Sequence, residues 1–170
     1  MDVTIIKGSN ADRIETIRRD GSTARSTFAK KGPIPHDAVH YIVEQELKLH
    51  DGFWGMVASG HSPEAIQDIA KAAGHASASR AETPSAQVVQ LIQAERLVEC
   101  FEADCWGTPT DNDTFRSVLH AACEHSFVTT PELTDAVIEM IRARVSALMH
   151  EWTKHEPGGC FQFSWPGNPT

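Results

Sequence analysis

His36 and His40 stand four residues apart, and Asp37 follows the first of them directly. On a helix that spacing puts both imidazoles on one face about one turn apart, where a pair can clasp a single metal ion. A carboxylate beside such an ion could take a proton from metal-bound water. With ~100° per residue and His36 at zero, Val39, Val43 and Leu47 form an apolar stripe through zero, and His40 falls at about 40°. Both histidines therefore sit in or beside the buried stripe, and their ring nitrogens need partners, because an unsatisfied buried polar group costs ~1–3 kcal/mol. A metal would satisfy both. Carboxylates and backbone carbonyls on neighbouring helices would do so equally, and Asp37 would then only complement the helix dipole.

A metal site needs a third ligand. Glu44 lies ~12 Å of helix rise from His36, too far to converge on the same ion, and an i,i+4 pair with Lys48 is its simpler role. A later helix offers Glu95 and Glu99, which project into an apolar side made by Val88, Leu91, Ile92 and Val98. Carboxylates are rarely buried without partners. Either these two face histidines, a cation or a metal such as zinc or another divalent ion, or they reach the rim of a helix that is apolar nearly all round. The other candidates are weaker. Cys100 and Cys105 lack the two-residue spacing of a zinc knuckle, His120 and His125 do not share a face, and no glycine-rich phosphate loop is present.

The elements that must position these residues are readable from punctuation and period. Residues 1–31 form a β region: Val3 to Lys7, then Arg13–Arg19 and Ser22–Ala29 joined by Asp20-Gly21, a hairpin signal. Gly32-Pro33-Ile34-Pro35 ends the sheet and starts a helical region over 35–155. Helices are expected at about 35–49, 63–73, from Thr83-Pro84-Ser85 to about Trp106, 111–126, and from Pro131 to about Lys154. Phe53–Ala58 reads as an apolar connector, and Gly74–Thr83 as a loop. Phe161, Phe163 and Trp165 alternate with polar residues, which marks 160–165 as a candidate strand destined for the N-terminal sheet.

The whole of 1–170 reads as a single α+β domain, predominantly helical, with a small antiparallel sheet packed on about five helices. Hydrophobic content of 41% and charged content of 22% are ordinary for a globular protein. The net charge of −8 divides into +3 over residues 1–31 and −11 over the rest. An acidic body argues against nucleic acid as partner. No apolar run is long enough for a membrane span, and the N-terminal residues do not read as a signal peptide. Four cysteines without framework spacing suggest reduced thiols and a cytoplasmic location.

The histidine segment is similar to the short zinc-protease signature, but Asp37 stands where that signature has glutamate. Its side chain is one methylene shorter and would reach a metal-bound water poorly from the same backbone position. A metal site is thus easier to defend than a protease. A longer block, Pro35-His36-Asp37-Ala38-Val39-His40 through Gly52-Phe53-Trp54-Gly55 to Gly60, resembles a segment of small uncharacterised bacterial proteins. The resemblance implies one recurring unit and brings no activity with it.

Two functional expectations follow. One is a metal-binding protein, with hydrolysis of a small-molecule or peptide substrate as its chemistry. His36 and His40 would be ligands, Glu95 or Glu99 the third, and Asp37 the acid/base group. The other is a non-enzymatic helical module, a homo-oligomer associating through Phe53, Trp54 and the last long helix, with structural histidines.

Overall fold

The structure, a computed structural model, describes residues 1–72 and 83–166. Strands β1 (Asp2–Ile6), β2 (Ala11–Ile17) and β3 (Thr23–Ala29) form a meander, and β4 (Cys160–Ser164) pairs with the other edge of β1. The order is β3-β2-β1-β4, antiparallel throughout. The β2–β3 turn uses Gly21 at φ +82, a left-handed conformation that costs glycine little. Register follows the side-chain period of two. Ile5 lies opposite Ile14 and Val3 opposite Phe163, and all four are buried on the face that meets the helices.

Among the described residues there are six α-helices: α1 (His36–Leu47), α2 (Phe53–Ala58), α3 (Pro63–Ala72), α4 (Val89–Trp106, entered through a 3₁₀ turn at Ala86–Val88), α5 (Asn112–Glu124) and α6 (Asp135–Lys154). Among the described residues, no helix is long and apolar enough to cross a membrane. The fold is α+β and mainly helical, as the sequence implied, and 160–165 does supply the fourth strand. Helix α4 is the centre. Its Leu91, Ile92, Ala94, Leu97, Val98 and Phe101 are fully buried, and it lies against α1, α5 and α6. The aromatic strand β4 receives α1 and α2: Tyr41 stacks on Phe163 at 3.8 Å, and Trp54 meets the same ring edge-on at 5.0 Å. All four cysteines are free.

Several expectations need correction. Phe53–Ala58 is helix α2, not a connector. Its two flanking and internal glycines hid it, yet both are there for close packing. A Cβ on Gly55 would lie 1.6 Å from the His50 carbonyl oxygen, and one on Gly52 would lie 2.6 Å from the Glu44 carboxyl carbon. Helix α6 starts at Asp135 rather than near Pro131, because Thr134 caps it by accepting from the Val137 N–H. Helix α4 starts six residues later than Thr83 suggested. Phe53 and Trp54 are buried within the chain itself. The expected loop over 74–83 lies outside the described residues except for Thr83.

Candidate metal centre

Helices α1 and α4 run past one another so that His36 near the start of α1 meets Glu102 near the end of α4, while His40 meets Glu95. Pro35 opens α1 in extended geometry with φ −62, which is natural for proline, and sets His36 in the first turn. The apolar stripe of α1, including Ala38, Val39, Ile42 and Val43, is buried and fixes the rotation of the helix. The two histidines are thereby turned toward α4.

Each imidazole is held from behind by a carboxylate. His36 Nδ1–H donates to Glu102 Oε1 at 2.9 Å, and His40 Nδ1–H donates to Glu44 Oε1 at 2.9 Å. The opposite nitrogens converge: the two Nε2 atoms are 3.2 Å apart, and Glu95 Oε2 is 3.6 Å from both. The three groups form one cluster able to hold a metal ion. They stand at the base of a cleft of about 350 Å³, walled by Phe53 and by Ile66 and Ala70 of α3, with Lys31 and Lys71 at its edge.

The three groups shift one another's charges strongly. Burial opposes the charged form of His36, but the Glu102 and Glu95 carboxylates outweigh it and raise its pKa to about 9. Burial likewise opposes the cation at His40, yet Glu95 and Glu44 raise its pKa well above the usual value. Burial would raise the Glu95 carboxyl, but the two imidazoles hold it well below the usual range. Two imidazolium rings would direct two N–H groups at each other across 3.2 Å, a repulsive arrangement. A divalent ion supplies the same charge as the two protons without that clash.

Glu95 thus joins the cluster that the sequence suggested, and Glu99 does not. Glu99 is exposed at the cleft rim and accepts from Arg96 Nη1 at 2.6 Å. Asp37 lines the cleft, half-buried, and its carboxyl takes no hydrogen bond from another residue among those described. Burial pushes its pKa up. The role expected for Glu44 is corrected: it faces His40 and the start of α2, not Lys48, which occupies the left-handed C-cap of α1.

Glu102 was missed. It lies two turns beyond Glu95, ~20° off on the same helical stripe, so the spacing carried the signal. The turn at Gly52 could not have been found in this way, since its contribution is made by backbone N–H groups. The chain matches no family model, no curated protein and no solved structure.

Proposed function

We propose that the protein is a zinc-dependent hydrolase acting on a small-molecule or peptide substrate, with His36, His40 and Glu95 as ligands. The carrying observation is the donor triangle with edges of 3.2, 3.6 and 3.6 Å. A point equidistant from its corners lies about 2.0 Å from each, the length of Zn–N and Zn–O bonds. Two imidazole nitrogens and one carboxylate oxygen are a donor set that would suit zinc. Carboxylates behind both imidazoles are the usual support of a zinc-binding histidine.

Held by three protein ligands, zinc would still be able to take a water, and the cleft beside them would admit a substrate. Zinc held in this way lowers the pKa of a bound water to about 7. Asp37 lines the same cleft and would be the acid/base group, accepting a proton from water and returning it to the departing amine or alkoxide. Its raised pKa suits a group that must both accept and release a proton.

The test is metal analysis of the purified protein together with zinc titration of wild type, His36→Ala, His40→Ala and Glu95→Ala. Stoichiometric zinc in wild type and its loss in the variants are expected. Absence of bound metal, with no stabilisation by added zinc, would overturn the reading. For the hydrolytic part, Asp37→Asn should keep zinc while slowing hydrolysis of p-nitrophenyl esters or p-nitroanilides by ~10²–10⁴-fold. An unchanged rate would remove Asp37 from the mechanism.

A further inference from the structure

Glu44 is fully buried, with a relative exposure of 0%. A carboxylate in such a place must be matched by donors, because an unpaired buried charge is expensive. It has three. Its Oε1 accepts from His40 Nδ1–H and from the Phe53 N–H, each at 2.9 Å, and its Oε2 accepts from the Trp54 N–H at 3.0 Å. The absence of a side chain at Gly52 makes room for the carboxyl, which a Cβ there would meet at 2.6–2.9 Å.

An ionised carboxylate can only accept hydrogen bonds. Facing Glu44, His40 must therefore carry a proton on Nδ1. When the ring is neutral, its lone pair is left on Nε2, the atom turned toward His36 Nε2 and Glu95. The opposite tautomer would place a proton where an ion must bind. Glu44 thus decides which nitrogen is available, and the first turn of α2 decides where Glu44 sits. Resting on the zinc-site reading above, we infer that Glu44 is a positioning residue that locks His40 in its metal-binding tautomer. The Gly52–Trp54 turn is accordingly part of the metal centre, although none of its side chains supplies a ligand. The glycine-aromatic turn thereby orients the histidine helix that precedes it.

Glu44→Gln tests the idea with little change of shape. Glutamine offers one accepting oxygen and one donating amino group to three donors. In one orientation its amino group opposes the Trp54 N–H. In the other it opposes the Phe53 N–H and drives His40 to the wrong tautomer. Cobalt(II) is the probe, since its visible bands report coordination geometry as well as occupancy. Wild type should give the intense bands of a four-coordinate ion. Glu44→Gln should bind cobalt ~10–100-fold more weakly, the usual consequence of losing a carboxylate behind a ligating histidine, with weaker bands at saturation. Glu46→Gln is the control, because Glu46 pairs with Arg144 elsewhere on α1, and it should keep both affinity and spectrum. Gly52→Ala displaces the Glu44 carboxyl without removing its charge, and should weaken cobalt binding in the same direction. It carries the test if Glu44→Gln does not fold.

Wild-type affinity and spectrum in Glu44→Gln, or in Gly52→Ala if that variant must stand in, would overturn the inference while leaving the metal site intact. So would a lowered melting temperature of the metal-free variant with an unaltered cobalt spectrum, the mark of a merely structural residue. Failure of wild type itself to take up cobalt or zinc is a different result, and overturns the metal reading together with this one.

Discussion

Two clusters of charged side chains lie against helix α4, and they are built on opposite plans. Near its C-terminal end, Asp104 accepts from the Thr110 N–H and hydroxyl at 2.8 Å and from Arg142 Nε at 2.7 Å. Arg142 goes on to Asn112, Glu139 and the Thr110 carbonyl, and lies over the Phe115 ring. That cluster brings its own permanent cation, and its geometry spends the guanidinium on ties between α4, α5 and α6. At the α1–α4 contact, the partners of Glu44 and Glu102 are histidines and backbone N–H groups. Imidazole gives up one nitrogen to the carboxylate and keeps the other for something else. A permanent cation makes a brace; an exchangeable one makes a site.

The largest separation between the two should come from substitutions. His40→Ala or Glu95→Ala should weaken zinc binding by more than about a hundredfold, beyond the ~10–100-fold typical of losing a supporting group. Arg142→Ala should leave zinc affinity unchanged and destabilise the fold by about 1–3 kcal/mol, as expected when a part-buried carboxylate loses its charged hydrogen-bond partner. Isothermal titration and denaturant unfolding measure the two effects. If Arg142→Ala lowered zinc affinity as much as His40→Ala, the division between brace and site would collapse.

Zinc itself should act on one cluster alone. At free zinc a hundred times its Kd, a ligand that binds only the folded state adds ~2.7 kcal/mol of stability. Thermal melts of wild type and Arg142→Ala should both show this gain, and melts of His40→Ala should not.

The pH dependence sharpens the contrast further. His36 has a folded-state pKa of about 9 against an ordinary 6.5, so the folded protein binds this proton more tightly than the unfolded chain. The resulting stability is fully present below about pH 6.5 and is lost as the pH rises through about 9. Metal uptake displaces the same proton, so zinc affinity should increase over that window. Calorimetry in buffers of different ionisation enthalpy should record proton release on binding at pH 7. Zinc uptake without any proton release would contradict the electrostatic picture of the cluster.

The smallest effect is expected at Glu99. Because it pairs with Arg96 at the rim, Glu99→Gln should change zinc affinity by less than about twofold, within the range of exposed ion pairs. A larger loss would bring Glu99 back toward the ion and shrink the difference between rim and base.

What could be read from the sequence was whatever depends on period or turn chemistry. The i,i+4 histidines, the Glu95 stripe and the alternating aromatics of β4 all repeat with the geometry of a helix or a strand, and Asp20-Gly21 marks a turn by residue type. What could not be read depends on backbone groups meeting side chains from elsewhere in the chain. Glu44 stands eight residues from His36, and helix spacing alone offers it only Lys48. Its actual partners include two N–H groups from a helix that the glycines at 52 and 55 concealed. Glu102 lies on the same stripe as Glu95, seven residues on, and holds the His36 ring rather than facing the cluster's centre.

Trp54 gives the centre a further property. Its indole N–H donates to the Asp37 carbonyl at 2.8 Å, one residue from His36, while its ring is fully buried against Phe53 and Phe163. The chain thus carries its own fluorophore, clamped beside the histidines and shielded from solvent. Ions with partly filled d shells, such as cobalt(II), quench indole emission at short range, so the Trp54 share of the emission from the four tryptophans should fall as cobalt binds.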